Sequence, residues 1–234
     1  MEWVDKYFST DIKTMQDISW EIQPFHQRVS TLKVDFPWNL TEMIKDLEQE
    51  DWKPYGMETA VKHDAWPGTR FKVHRPRSRL LQQVVDFFAQ DSTRDYLIEC
   101  LYRDKPILQI NWQMYPWRMS MNSILHAEFT KDLPGFHNGL HCDMRRLIGT
   151  GMIYLVDRND EDLASCFYAH PNGDDPQIIP TGYGLGWVHS NDWDTWHDGW
   201  NRTQQIRYSI LLALTLKLKH QPLASDTPVK PGLA

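Results

Sequence analysis

The chain has 234 residues with 31 acidic and 25 basic side chains, which gives a formal net charge of −6. This acidic balance argues against a large nucleic-acid interface, which needs a basic surface. Hydrophobic residues make up 41% of the chain and charged residues 24%, so the chain can bury one large core. No stretch approaches the apolar length of a membrane span, the acidic N-terminal segment does not resemble a signal peptide, and three irregularly spaced cysteines predict reduced thiols. We therefore expect one cytoplasmic domain over residues 1–234, with no membrane or nucleic-acid partner.

The first half of the chain, residues 1–119, is predicted to supply helices and the first strands around a β core. Apolar residues recur at helical spacing in three segments, and the first of these has Asn39 or Thr41 as its N-cap. The predicted helices span residues 40–47, 79–88 and 93–102. A short strand is predicted within 27–34 and a short extended piece within 71–74. Since an apolar helical stripe normally packs against another element, we expect the helices to lie on the outside of a sheet.

From residue 107 the hydrophobic pattern changes to alternation, which is typical of strands. The predicted strands span residues 107–114, 120–129, 147–156, 165–170, 185–188 and 207–218. Turns that contain Pro or Gly separate them, as at 133–135 and 180–184. Short strands with such turns predict an antiparallel sandwich or barrel over residues 120–218. The tail over residues 222–234 has three prolines and no periodicity, and we expect it to be loose.

The candidate metal ligands begin with His141 and Asp143. Side chains at i and i+2 of an extended segment point to the same side, so a strand over residues 140–143 would place this imidazole and this carboxylate together. They are two of the three ligands in the 2-His-1-carboxylate arrangement, which leaves coordination positions open on Fe(II). The third ligand must come from another histidine. Six histidines are candidates, namely His26, His63, His74, His170, His189 and His197, and His126, His137 and His220 are also present.

Candidate anion-binding residues lie at the start of the longest predicted strand. Arg207 and Ser209 share one face of that strand, ten residues after His197. A charged guanidinium at the start of an apolar strand is costly unless it meets an anion. The planar guanidinium group can donate two parallel hydrogen bonds to a carboxylate, and the Ser209 hydroxyl can donate a further hydrogen bond to the same oxygens.

The order His141-x-Asp143, then His197 after 53 intervening residues, then Arg207-x-Ser209, resembles the Fe(II)/2-oxoglutarate-dependent oxygenases. The resemblance implies an α+β fold, a double-stranded β-helix (jelly-roll) core with the N-terminal helices packed on its outside. It implies that His141, Asp143 and His197 bind Fe(II) and leave three positions for 2-oxoglutarate and O₂. Arg207 and Ser209 would then hold the distal carboxylate of 2-oxoglutarate. His189 is the rival for the third ligand.

Further expectations follow from the same resemblance. The segment 149–155 is similar to the strand after the His-x-Asp strand in the prolyl-hydroxylase-like branch, although that branch often has Lys where this chain has Arg207. The implied activity is a dioxygenase reaction, most commonly hydroxylation of a C–H bond, with ascorbate as a stimulant. Halogenation is disfavoured because halogenases replace the carboxylate ligand and Asp143 is present. The expected substrate is an amino acid, a peptide residue or another small polar molecule, and the Trp- and Asp-rich segment 187–200 would either line its pocket or pack the barrel mouth.

Two other classes of protein use similar residues. A non-catalytic cupin-like module would keep the fold and a metal without oxidising anything. A zinc hydrolase would keep a His/Asp metal set and use bound water, but it gives no role to Arg207-x-Ser209. Succinate formation from 2-oxoglutarate separates the oxygenase from both classes.

Overall fold

Two antiparallel β-sheets and three α-helices make up the part of the chain that the computed structural model describes, which comprises residues 14–26, 29–55, 69–102, 123–143, 147–191 and 195–216. The strand predicted over 107–114 and the tail over 222–234 lie outside these residues. The first residues of the strand predicted over 120–129 also lie outside them.

The three helices follow the predicted apolar stripes closely. They are α1 (Leu40–Leu47), α2 (Arg79–Phe88) and α3 (Asp91–Tyr102), so only α3 begins earlier than predicted. Asn39 is the N-cap of α1: its side chain accepts the Glu42 N–H at 3.0 Å, and the Glu42 carboxylate accepts the Asn39 N–H at 2.7 Å. Among the described residues, no helix has the length and apolar character needed to cross a membrane.

The larger sheet has eight strands in the spatial order β1-β2-β10-β7-β12-β5-β4-β3. These strands are β1 (Ser19–His26), β2 (Val29–Asp35), β3 (Lys53–Pro54), β4 (Arg70–Val73), β5 (Ser123–Asp132), β7 (Leu147–Leu155), β10 (Leu185–Ser190) and β12 (Arg207–Leu216). The central strands match the predicted apolar runs. β1 was not predicted, because its apolar residues alternate only loosely with polar ones.

The smaller sheet has four strands in the spatial order β6-β11-β8-β9. They are β6 (His137–His141), β8 (Ser165–Tyr168), β9 (Gln177–Ile178) and β11 (Trp196–Trp200). From β5 to β12 the chain passes repeatedly between the two sheets, so that strands distant in sequence become neighbours. This path makes the core a jelly-roll sandwich, as expected.

The larger sheet separates two apolar clusters. On one face, buried side chains of β5 and β12, such as Phe129 and Ile210, pack against those of the helices. The helix side chains include Met43, Val84 and Leu97. The other face looks into the space between the sheets, where a second cluster includes Met152, Tyr154, Leu163, Phe167 and Trp187. The residues of this second face position the candidate site.

Close pairing of β10 with β7 depends on Gly186. A Cβ added there would lie 1.9 Å from the Met152 carbonyl oxygen and 2.9 Å from the Ile153 Cα, both of which are backbone atoms. We expect Gly186→Ala to lower the free energy of unfolding by about 1–3 kcal/mol or more, since the strands must separate to accept the methyl group. Urea denaturation of the metal-free protein measures this. Gly139→Ala on β6 is the control, because nothing lies within 4 Å of its added Cβ, and an equal loss there would contradict the steric explanation.

Candidate functional site

The predicted ligands meet where β6 and β11 pair. His141 is the last residue of β6, and the antiparallel register places it directly opposite His197 on β11. β6 ends at His141, so Asp143 lies two residues beyond the strand and not within it. The Asp143 carboxylate nevertheless lies within 4 Å of both imidazoles.

The three ligand atoms form one compact group. The Asp143 Oδ1 lies 3.6 Å from His141 Nε2 and 3.8 Å from His197 Nε2. One ligand atom from each of the three residues lies within 4.8 Å of the other two, which is the spacing expected of groups that can hold one metal ion. The His197 side chain is 6% exposed, Asp143 15% and His141 29%, so the group opens to solvent on the His141 side.

Backbone carbonyls orient both imidazoles. His141 Nδ1 lies 2.7 Å from the Gly139 oxygen, and His197 Nδ1 lies 3.1 Å from the Thr195 oxygen. A carbonyl can only accept a hydrogen bond, so each Nδ1 carries the proton and each Nε2 keeps its lone pair. The Asn138 side-chain nitrogen lies 3.2 Å from His141 Nε2 and can donate to that lone pair. The Nε2 atoms of both imidazoles lie on the side of Asp143.

The local electrostatics favour the protonation states that bind a metal in two of these residues, His197 and Asp143. Burial lowers the pKa of His197 to about 3, although the Asp143 carboxylate acts in the opposite direction. Burial acts to raise the pKa of Asp143, but His197 and His141 outweigh it and hold that pKa well below its usual value. Burial acts to lower the pKa of His141, and the hydrogen bond and charge of Asp143 outweigh it and raise that pKa. His197 is thus neutral and Asp143 ionised near neutral pH, as metal ligation requires.

His189, the rival for the third ligand, also reaches this group. It is fully buried on β10, and its Nε2 lies 3.2 Å from the Asp143 Oδ2. His197 belongs to the group of three whose ligand atoms lie within 4.8 Å of one another, whereas His189 faces the other oxygen of the same carboxylate. The rings of His189 and His197 are 5.0 Å apart.

Arg207 and Ser209 lie deep between the sheets and are both 0% exposed. The anion that Arg207 meets is Asp132 at the end of β5: Arg207 Nε and Nη2 donate to the Asp132 Oδ2 at 3.0 and 2.6 Å. Its Nη1 donates to the carbonyl oxygens of Leu163 and Trp200. The Ser209 hydroxyl lies 2.6 Å from that of Thr130.

A second guanidinium shares Asp132. Arg70 on β4 donates from Nε to Oδ1 at 2.5 Å and from Nη2 to Oδ2 at 2.9 Å, and it is 5% exposed. Arg70, Asp132 and Arg207, called the arginine cluster below, thus set two guanidinium groups against one carboxylate. Arg70 also acts electrostatically on His141, which places the arginine cluster within range of the metal ligands.

Comparison with known proteins supports the fold. No family model matches the sequence, and no curated protein matches it. Among solved structures, a Pseudomonas putida prolyl-4-hydroxylase is 13% identical, with 85% of this chain and 92% of that chain covered and a TM-score of 0.51. A Trichoplax adhaerens prolyl hydroxylase, solved with a hypoxia inducible factor oxygen degradation domain peptide fragment, is 14% identical, with 76% and 77% covered and a TM-score of 0.52. The chain has the fold of the Fe(II)/2-oxoglutarate-dependent oxygenases.

Within this oxygenase fold, three residues near the site were not predicted from the sequence, namely Asp132, Arg70 and Tyr55. Asp132 and Arg70 form the arginine cluster with Arg207, and only the register of β12, β5 and β4 brings them together. His189 lies on β10 of the opposite sheet and was predicted only as the rival of His197 for the third ligand. Tyr55 follows β3 in a loop-rich segment, and its pKa is raised by burial and by the carboxylates of Glu128 and Asp143. The alternation of apolar and polar residues along β5 and β12 was the one feature of the sequence that could have indicated Asp132.

The arginine cluster should be essential for stability. We expect Asp132→Asn to lower the free energy of unfolding by about 3–5 kcal/mol, because it leaves two buried guanidinium groups without their carboxylate. The arginines hold the pKa of Asp132 below its ordinary 3.8 despite its burial, so its contribution is complete above that pH and is lost as the pH falls further. Urea denaturation measures both effects. Asp35→Asn is the matched control, since Asp35 pairs with Lys33 on the surface and should change stability by less than about 0.5 kcal/mol.

Proposed function

We propose that this protein is an Fe(II)- and 2-oxoglutarate-dependent oxygenase that hydroxylates a C–H bond of an amino acid, a peptide residue or another small polar molecule. The observation that carries the proposal is that His141, Asp143 and His197 each bring one ligand atom within 4.8 Å of the other two, where β6 pairs with β11. One domain over residues 1–234 would supply this activity, with the helices supporting the larger sheet from outside.

Metal binding is assigned to His141, Asp143 and His197. Two Nε2 lone pairs and the Asp143 Oδ1 face one point, and this nitrogen and oxygen donor set suits Fe(II). Fe(II) bound there with 2-oxoglutarate and O₂ supplies the oxidant for a C–H bond, while the 2-oxoacid is converted to succinate and CO₂. The role of the protein is to hold the three donors in place by backbone hydrogen bonds and to leave the remaining coordination positions of the metal open.

Cosubstrate binding is assigned to Arg207 and Ser209. A molecule of 2-oxoglutarate carries an oxoacid at one end and a second carboxylate at the other, and the latter needs a positive, hydrogen-bonding partner. The arginine cluster has one positive charge more than its carboxylate balances. Ser209 lies opposite Tyr154 in the register of β12 and β7, two residues after Arg207 on the same strand. These features support binding of a dicarboxylate.

Ionisable side chains on the inner face of β4 and β5 support the proposal that the substrate is polar. His74 Nδ1 lies 3.8 Å from the Glu128 carboxylate, and the rings of His74 and His126 are 6.3 Å apart. Burial raises the pKa of Glu128, against the nearby Lys72, so a partly enclosed carboxylate faces this region. Ionisable side chains here suit a substrate with polar or charged groups. Location in the cytoplasm is part of the proposal, and the small number and irregular spacing of the cysteines support it.

The direct test is succinate production. We expect purified protein with Fe(II), O₂ and 2-oxoglutarate to form succinate slowly, and faster when a true substrate is added from a panel of amino acids, peptides and small polar metabolites. His141→Ala and Asp143→Ala should each abolish it, because each removes a metal ligand. Mass spectrometry of succinate and of an added 16-Da oxygen measures the outcome.

The control for that test is His137→Ala, since His137 lies on β6 with His141 but is exposed. Its succinate yield should equal that of the unchanged protein. Stoichiometric metal binding without succinate under any condition would favour a cupin-like binding module, and activity with Zn²⁺ in the absence of 2-oxoglutarate would favour a hydrolase. Either result would remove the oxygenase assignment.

The cosubstrate assignment makes a separate prediction. We expect Ser209→Ala to raise the KM for 2-oxoglutarate about five- to tenfold, since it removes one hydrogen bond to a charged group. Fe(II) affinity should not change, because Ser209 does not contact the ligands. Thr215→Ala, on the same face of β12 but at its exposed end, is the control. An unchanged KM in Ser209→Ala would remove the role of this hydroxyl.

A further inference from the structure

The arginine cluster has one positive charge in excess of its carboxylate. Asp132 accepts four hydrogen bonds, two from Arg70 and two from Arg207, and a carboxylate has about four lone-pair sites, so Asp132 has no capacity for a further donor. Glu128 also acts on Arg70, but burial and Lys72 are the two largest influences on the pKa of that carboxyl. Arg70 is 5% exposed and Arg207 0%, so water compensates the excess charge only weakly. Such a charge is costly in the interior and favours the binding of a second anion beside it.

Most of the unused donors of the arginine cluster are on Arg70. Arg207 donates from Nε and Nη2 to Asp132 and from Nη1 to two backbone carbonyl oxygens, so four of its five N–H groups have acceptors. Arg70 donates from Nε and Nη2 to Asp132, and neither N–H of its Nη1 has an acceptor among the described residues. The Arg70 guanidinium packs against the Phe136 ring, with 4.1 Å between its carbon and the ring centroid. The donors that an incoming anion can use are therefore mainly those of Arg70 Nη1.

The arginine cluster is connected to the metal ligands through the space between the sheets. The Arg207 guanidinium lies 5.9 Å from the Tyr154 ring, whose hydroxyl accepts a hydrogen bond from Trp187 Nε1 at 3.2 Å. The Trp187 ring lies 5.8 Å from that of His197. The register of β4, β5 and β12 places Arg70 and Arg207 on either side of the shared carboxylate. An anion bound at the arginine cluster can therefore be one end of a molecule whose other end reaches the metal ligands.

We propose that Arg70 is a further cosubstrate-binding residue, whose Nη1 donates to the distal carboxylate of 2-oxoglutarate beside Arg207 and Ser209. This inference rests on the proposed function. The added carboxylate completes a group of two guanidinium cations and two carboxylates, in which each charge has a partner. A 2-oxoacid without a second carboxylate leaves the excess charge buried, so Arg70 makes the site selective for a dicarboxylate.

The test compares the affinities of 2-oxoglutarate and 2-oxopentanoate, which has the same carbon chain without the distal carboxylate. Each is titrated calorimetrically into the Co²⁺-loaded protein, so no turnover is required. In Arg70→Met, Asp132 and Arg207 remain as a balanced pair. The affinity for 2-oxoglutarate should fall about 10- to 100-fold, because a hydrogen bond to a charged group is lost. The affinity for 2-oxopentanoate should stay within about threefold of that of the unchanged protein.

Two further variants separate the donor from the charge. Arg70→Lys keeps a cation beside Asp132 but has only one donor nitrogen, so it should lose 2-oxoglutarate affinity about fivefold or more, and it carries the test if Arg70→Met does not fold. The matched control is Lys131→Met, which removes one positive charge from the neighbouring residue of β5. Lys131 faces the opposite side of the sheet, where its Nζ lies 5.0 Å from the Trp52 ring. Both affinities should stay within about twofold in this control.

Three outcomes would overturn the role of Arg70. Equal losses of both affinities in Arg70→Met would mean a structural role, and an unchanged affinity for 2-oxoglutarate in both Arg70 variants would mean no role in binding. A loss in Lys131→Met as large as that in Arg70→Met would assign the effect to net charge. If the unchanged protein binds neither 2-oxoacid, the proposed function fails and the role of Arg70 with it, whereas a failure confined to the Arg70 variants leaves the binding roles of Arg207 and Ser209 in place.

Discussion

The structure depends on keeping one ionised carboxylate, that of Asp143, between two sheets with little access to water. Such a charge is costly in a protein interior unless groups around it compensate. Here three imidazoles approach it, two at one oxygen and one at the other. The pairing of β6 with β11 supplies the first two, and β10 of the opposite sheet supplies the third. The jelly-roll path is what makes these three strands neighbours.

A second charged centre lies deeper and has the opposite sign. The arginine cluster sets two guanidinium groups against Asp132, at the start of β12 and the end of β5. The space between the sheets is thus polarised, with the Asp143 carboxylate at one end and surplus positive charge at the other. Aromatic and apolar side chains line the region between them, including Tyr154 and Trp187. This polarity suits a ligand with a metal-binding oxoacid at one end and a carboxylate at the other.

Local patterns were sufficient to predict much of the fold from the sequence. The stripe from Arg79 to Phe88 gave the bounds of α2, and the apolar run from Leu147 gave β7, because burial of one face imposes a period that can be read directly. β11 was not predicted, since its sequence Trp-His-Asp-Gly-Trp has no alternation of apolar and polar residues. Its pairing with β6 and β8 makes it a strand.

The site was predictable only in part for a related reason. The spacing of His141, Asp143 and His197 pointed to a shared metal, and the structure brings these three residues together. Asp132 and Arg70 were not found, because salt bridges between distant strands leave no local pattern. His189 was considered only as an alternative to His197, since a sequence cannot indicate that two histidines approach different oxygens of one carboxylate. Register, and not composition, decides such contacts.

The most direct measurement is an anomalous diffraction map at the iron edge, from crystals grown without oxygen in the presence of Fe(II) and 2-oxoglutarate. We expect one strong peak within bonding distance of His141 Nε2, Asp143 Oδ1 and His197 Nε2, with density for the cosubstrate running from it toward Arg207. A peak at any other set of side chains, or none in metal-loaded protein, would contradict it.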